Sequence, residues 1–373
     1  MAMLLLVFFC HNVSTADTPS SDFYCDFQVI GYYPDYWWTP IPDIRYDKLT
    51  QVVFCSIYPN SDGSLNTSQI DLTRQVIFVN SAHTNEVDAS ICIGGWGLSD
   101  NFSSVSADSV MRAAFINNLT QYCLTYNFDG VVLDWEPVTD PTDKANYTVL
   151  IQELKTTLVA HELSLGVAVG ALGSEFHPSA IDFVDWLHIM AYDMTNEIHS
   201  TYDDSVAAVN HWEGFGFPKL KIILGLPFYG RKTNWWYEPS YEPYDEIIAQ
   251  YHPGPEVDEI DGIYFNGINT IKAKTQYIVE NDYGGVMFWE ITEDTGGETS
   301  LLTAISDEIH FRLPPDFNCD RVVDAIDLEH LAAHWLMSDC KNINAWCNAL
   351  DLDQSNTVAL QDFALFVQHC MDN

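Results

Sequence analysis

The run FDGVVLDWE, Phe128–Glu136, sets three carboxylates among apolar residues. Read as a strand, its side chains alternate between two faces. Val131, Leu133 and Trp135 then point outward toward packing helices, and Val132, Asp134 and Glu136 point inward. Two carboxyl groups on one inward face are costly to bury. Held close together they raise at least one pKa, which keeps a proton available for acid catalysis. A pair of satisfied polar caps on a core is the plainer alternative. Catalysis is favoured because barrel enzymes carry their chemistry at the C-terminal ends of their strands.

The elements that must position this pair follow from apolar runs along the chain. Strands are expected near Gln28–Tyr33, Gln51–Ile57, Asp88–Ile93, Gly130–Trp135, Leu163–Val169, Trp186–Ala191, Lys221–Pro227 and Gly285–Trp289. Amphipathic segments lie between them, among them Ser109–Tyr126, Lys144–Ala160, Ser205–Trp212 and Thr270–Glu280, and Leu301–Phe311 follows the last strand. Strands alternating with helical crossovers predict an α/β fold, a (β/α)8 TIM barrel. An open doubly wound sheet would carry a glycine-rich phosphate loop after its first strand, and GYYPDYWW from Gly31 is nothing of the kind.

On these residues the chain resembles glycoside hydrolase family 18, the chitinase family, whose signature DGxDxDxE is matched by Asp129, Gly130, Asp134 and Glu136. Four further segments fall at the expected strand ends: ICIGGW (Ile91–Trp96), MAYD (Met190–Asp193), GLPFYGR (Gly225–Arg231) and GGVMFWE (Gly284–Glu290). The resemblance covers residues 25–312. It implies that Glu136 is the general acid and then the base, and that Asp134 orients the substrate's 2-acetamido group, whose carbonyl attacks the anomeric carbon. Tyr192 would bond the acetamido oxygen and Trp289 would stack beneath the sugar. Tyr33 and Trp96 would wall the cleft, and Met190, Asp193, Tyr229 and Arg231 would line the subsites. For each aromatic, plain core packing is the competing role.

Two departures bear on this mechanism. The family's middle aspartate is Val132 here, and the serine of its third-strand SxGG motif is Cys92. Asp134 therefore lacks the neighbour with which it would share a proton, which predicts retained chemistry at a lowered rate or a shifted pH optimum. Only 53 positions (284 − 231) separate Arg231 from Gly284, too few for the full α+β subdomain found in deep-cleft relatives. The resemblance then implies a more open cleft.

The whole-chain numbers narrow the partners. Lys and Arg total 15 against 53 Asp and Glu, a net charge of −38. Such a surface repels nucleic acid and anionic membranes and suits a neutral glycan or a cation. The first residues, 1–16, read as a signal peptide, with an apolar run too short to span a membrane, so a secreted or cell-surface protein is expected. Four of the 9 cysteines, Cys319, Cys340, Cys347 and Cys370, crowd the C-terminus and read as one or two disulfides stapling a small module.

That module is placed at 316–373, after the prolines that close the barrel, and it carries an internal repeat at an offset of 35 residues (351 − 316). One twelve-residue loop presents Asp316, Asn318, Asp320, the Val322 carbonyl, Asp324 and Asp327. The other presents Asp351, Asp353, Ser355, the Thr357 carbonyl and Asp362. Oxygen ligands at this spacing wrap a Ca²⁺ ion, although Arg321 and Asn356 replace the usual turn glycine. Each loop precedes one apolar helix, Leu328–Trp335 and Phe363–Cys370. The pair resembles dockerin type I modules, small all-α EF-hand-like units, which implies a cohesin-type partner.

The function expected is a glycosidase cleaving β-1,4 linkages next to N-acetylglucosamine, in chitin or chitooligosaccharides. An endo-β-N-acetylglucosaminidase acting on glycoprotein or peptidoglycan-type glycans would use the same chemistry. A chitinase-like lectin typically lacks the acid glutamate, and Glu136 is present.

Overall fold

The computed structural model describes residues 27–35, 41, 44–194, 198–232, 240–312, 315, 323–340, 350–353 and 355–372. The expected leader, Cys25 and the ligands Asp316, Asn318, Asp320 and Val322 lie outside the described residues.

Eight parallel strands close into a barrel: β1 Gln28–Pro34, β2 Gln51–Pro59, β3 Asp88–Gly94, β4 Gly130–Asp134, β5 Ser164–Gly170, β6 Trp186–Met190, β7 Ile222–Pro227 and β8 Gly285–Trp289. Closure comes from β1, which pairs with β8 through Gln28 and Gly285 and with β2 through Ile30 and Gln51. The helices are α1 Leu72–Thr84, α2 Phe102–Ala107, α3 Ser109–Tyr126, α4 Pro141–Leu158, α5 Tyr202–Phe215, α6 Tyr244–Tyr251, α7 Ile268–Glu280 and α8 Leu301–Arg312. Each barrel strand begins and ends within two or three residues of its expected place.

Local chemistry accounts for the helix ends. Asp71 and Asp108 accept backbone N–H groups at the starts of α1 and α3. Pro141 opens α4 behind Asp140, and Thr201 with Asp204 forms a reciprocal cap on α5. Such caps satisfy donors that have no partner inside the helix.

Two cores follow from strand alternation. Val131, Leu133 and Trp135 pack outward with the helices, in the large layer that also holds Phe54, Phe78 and Trp212. Inside the barrel, Ile30, Tyr32, Val53, Cys55, Cys92, Val132, Ala168, Ile223 and Met287 form a second cluster. The expected parity of β4 is the observed one.

Three connections depart from a regular helical crossover: between β1 and β2 the described residues hold only the 3-10 helix Tyr46–Lys48. Between β5 and β6 stands only the short 3-10 helix Pro178–Phe183. Between β7 and α7 the described residues add four short antiparallel strands and α6. This is a reduced insertion: Tyr229–Lys232 pairs with Glu242–Pro243 and with Ile263–Tyr264, which in turn pairs with Glu259–Ile260.

Beyond the barrel, α9 (Ala325–Ala333) and α10 (Leu360–Asp372) accompany a separate small core of Leu331, Cys340, Leu350, Val358 and Phe366. Cys340 is disulfide-bonded. Cys55, Cys92 and Cys123 are free and buried.

Candidate active site

The signature run divides its labour along β4. Asp129, at the foot of the strand, is bonded to His83 of α1 at 2.7 Å and accepts the Ala89 amide of β3, so it splices elements together. A Cβ on Gly130 would lie 2.0 Å from Ser164 Oγ and 2.7 Å from Ser90 Oγ, so only glycine lets the three strands close there. Asp134 and Glu136 alone reach the mouth.

Their placement is enforced from both sides. The Trp135 indole is stacked on Phe102 and edge-on to Tyr147, with centroids 5.2 and 5.1 Å away, which holds its neighbours inward. Gly94 and Gly95 both adopt positive φ, and the Gly95 amide donates to Asp134 O at 2.7 Å. A Cβ on Gly94 would stand 2.4 Å from that same carbonyl. The Glu136 amide donates to Ser99 Oγ at 3.0 Å.

Asp134 is 8% exposed. Its Oδ2 faces the Cys92 thiol at 3.9 Å, and its buried Oδ1 has no hydrogen-bond partner. Burial raises the Asp134 pKa to about 6, against the pull of the Glu136 and Cys92 hydrogen bonds. Burial, and then the Asp134 charge, pushes Glu136 well above the usual carboxylate range. The pair thus favours the protonated form of Glu136, the state a general acid requires. The layer beneath is apolar or thiol: Val132 is nearly fully buried, and Cys92 is hydrogen-bonded to Cys55.

On the far side of the mouth, Tyr192 follows β6. Burial and the Asp134 and Glu136 charges raise its phenol well above its ordinary pKa, so it stays a neutral donor. In this structure its hydroxyl rests 3.9 Å from Met287 Sδ. Trp289 ends β8, half-buried, 6.0 Å from the Tyr32 ring. Met190 lines a cavity of about 460 Å³ together with Glu136, Ala168, Gly170 and Glu175. Trp96 projects from the β3 end, 77% exposed.

Asp193 and Arg231 form a two-pronged ion pair, with Nε–Oδ1 at 2.8 Å and Nη2–Oδ2 at 2.6 Å. The guanidinium lies 5.1 Å from the centroids of both Tyr229 and Tyr241. Those two rings stack at 4.5 Å, and the Tyr241 hydroxyl donates to Glu293 at 2.8 Å. Tyr229 is therefore buried support behind the ion pair.

Tyr33 is the correction. It is fully buried outside the barrel, stacked on Phe78 at 5.2 Å and tilted against Phe54 at 5.6 Å. Its neighbour Tyr32 enters the barrel and bonds His188 Nδ1 at 2.6 Å. Tyr32, His188 and Cys55 escaped the sequence reading, because buried parallel strands are apolar on both faces and carry little parity signal.

In the small module, carboxylate oxygens of Asp351, Asp353 and Asp362 lie within 4.8 Å of one another. Asn356 takes the turn position with φ +78°, and Ser355 Oγ donates to the Thr357 carbonyl at 3.2 Å. Burial and the neighbouring carboxylates raise Asp351 to about 6. This oxygen donor set fits a hard divalent cation. Of the other loop, Asp324 caps α9 and Asp327 is fully buried.

Among known proteins, the family model described as Glycosyl hydrolases family 18 matches residues 28–294. The chain is 27% identical to Chitinase A1 of Niallia circulans, over 55% of this chain and 40% of that protein. It is 25% identical to Probable chitinase 2 of Drosophila melanogaster, over 57% of each. The chain thus spans about half the length of these relatives. Among solved structures, the GH18 chitinase ChiB from the chitin utilization locus of Flavobacterium johnsoniae superposes with a TM-score of 0.69 at 28% identity, covering 76% of this chain and 94% of that one.

Proposed function

This chain belongs to glycosyl hydrolases family 18, and we propose that its barrel hydrolyses β-1,4 linkages next to N-acetylglucosamine, with chitin or chitooligosaccharides as substrate. The observation that carries this reading is the Asp134–Glu136 carboxyl pair at the mouth of the barrel, where burial raises both groups. Similarity to proteins named chitinases supports the choice of substrate.

In this mechanism Glu136 protonates the glycosidic oxygen. The substrate's own acetamido carbonyl attacks the anomeric carbon, so no second enzymic carboxylate is needed as nucleophile. Asp134, released from Glu136, accepts the acetamido N–H and stabilises the charge developing on that group. Tyr192 donates to the acetamido oxygen, and Trp289 forms the floor under the distorted sugar. Glu136, now ionised, activates the water that opens the oxazolinium ion, with net retention.

Purified protein incubated with chitin oligomers and with N-glycans, followed by product mass and by the anomer first released, tests the reading. Chitobiose-type products appearing first as the β-anomer are expected. Cleavage of N-glycans alone would move the assignment to an endo-β-N-acetylglucosaminidase. No cleavage of either would leave a lectin.

The same proposal includes secretion and a Ca²⁺-holding C-terminal module, in which Asp351, Asp353, Ser355, the Thr357 carbonyl and Asp362 take one ion. The module would dock a cohesin-type protein, and the exposed Ile326, Trp335, Leu336, Met337 and Leu360 provide apolar surface for it. Calorimetric titration of the whole chain with Ca²⁺ should give saturable binding that Asp362→Ala weakens. Unchanged titration would remove calcium from the second loop.

A further inference from the structure

A buried lysine that meets no carboxylate stands behind the substrate-binding rim. Lys274 of α7 is 1% exposed. Its ammonium donates to Asn266 Oδ1 at 2.7 Å, Ser200 Oγ at 2.8 Å and Ser200 O at 3.2 Å, all neutral acceptors. The nearest acidic influences are Asp258 and Asp204, and both carboxylates are already engaged. Asp258 accepts from Thr270 and Gly267, and Asp204 accepts from the Thr201 hydroxyl and amide at the start of α5. Burial pulls the lysine down to about 7, which shows how costly its charge is where an apolar side chain would sit more cheaply.

What the ammonium grips explains its presence. The Ser200 hydroxyl donates to the Ala191 carbonyl at 2.7 Å, the peptide that leads into Tyr192. Asn266 Nδ2 holds the Ser200 carbonyl at 2.8 Å. The preceding residue, His199, receives the Met194 amide on its carbonyl at 3.0 Å. Its ring lies 5.1 Å from the Tyr229 ring, with Nδ1 3.5 Å from Asp193 Oδ1. The loop that carries Tyr192 and Asp193 out of β6 is therefore fastened on its return at Ser200, and Ser200 is fastened to α7.

We infer that Lys274, with Asn266 and Ser200, is a positioning device that sets Tyr192 and Asp193 at the rim of the active site. The inference rests on the hydrolase reading for its kinetic consequence, not for its structural one. The three residues touch no substrate. They act by fixing the Ala191–Tyr192 peptide from behind, where a misplaced phenol would lose its transition-state hydrogen bond while ground-state binding changed little.

The test compares Lys274→Met, Ser200→Ala and the double variant on chitotetraose, with melting temperature and amide exchange of Met194 recorded for each. Each single variant should lower kcat about tenfold, the worth of one charge-assisted hydrogen bond, with the change in kcat exceeding that in KM. The double variant should lose no more than the worse single, because both cut one chain of contacts. Met194 should exchange faster in all three. Folded variants with kcat unchanged and Met194 still protected would overturn the inference, as would losses that multiply. If Lys274→Met does not fold, Ser200→Ala decides alone. If the wild type cleaves no glycan, the hydrolase reading fails, and Met194 exchange still decides the positioning role.

Discussion

Asp134 and Asp193 stand at the same mouth and have opposite electrostatics. Asp134 lies over an apolar and thiol layer, and burial lifts it to about 6. Burial acts on Asp193 as well, but the Arg231 fork overcomes it and brings the carboxyl down to about 2. The region around β3 and β4 is thus built to hold a proton, and the region around β6 and β7 to hold a charge. Residue type alone would not separate them. A desolvated acid is held ready to give its proton up, whereas a paired one is fixed in geometry and useful for binding.

The largest effect expected on this comparison comes from Glu136→Gln. It removes the proton donor and should lower kcat ~10²–10⁴-fold on chitooligosaccharides. Asp134 then loses the Glu136 hydrogen bond that pulls it down while its burial remains, so it should titrate higher, which ¹³C-carboxyl NMR can follow.

Arg231→Met attacks the other side. Leaving Asp193 unpaired should destabilise the fold by about 2 kcal/mol, at the low end because part of Asp193 reaches solvent. The sign follows from the depressed pKa. The pair's contribution is present above the unfolded aspartate's value near ~4 and fades as pH falls toward about 2. Urea unfolding of wild type and variant should therefore differ most above that window and converge in acid. Equal stability at neutral pH would break the comparison.

Val132→Asp would set a second carboxyl beside Asp134 within the inner layer. Glu136 should hold its proton more tightly, moving the alkaline limb of kcat/KM upward by about one unit. Superimposable pH–rate profiles would dismiss the relay account of the missing aspartate. The smallest change is Cys92→Ser. A hydroxyl is a stronger donor than a thiol, so the limb set by Asp134 should move to lower pH by less than one unit.

Strand parity shows how far the sequence could be read. On β4 the carboxylates declared which face was inward, and Val131, Leu133 and Trp135 do pack outward. On β1 both faces are apolar, as buried parallel strands usually are, so IGYYP carries no parity mark, and the expected cleft wall Tyr33 packs outward while Tyr32 packs inward. Helix α3 was legible to the residue because Asp108 caps its start and Asn127, at φ +59°, turns the chain at its end. The reduced insertion before α7 was legible only as a length, because its strands are two to four residues long.

The sequence by itself determined the alternation of strands and helices, the carboxyl pair at a strand end, and the twice-repeated oxygen-ligand loop, because each is written in local spacing. Only the tertiary structure decided which aspartate is neutralised and which is kept charged, and that Lys274 grips Ser200 across 74 positions of chain. Desolvation and long-range hydrogen bonding depend on what surrounds a group in three dimensions, and spacing along the chain does not encode those neighbours.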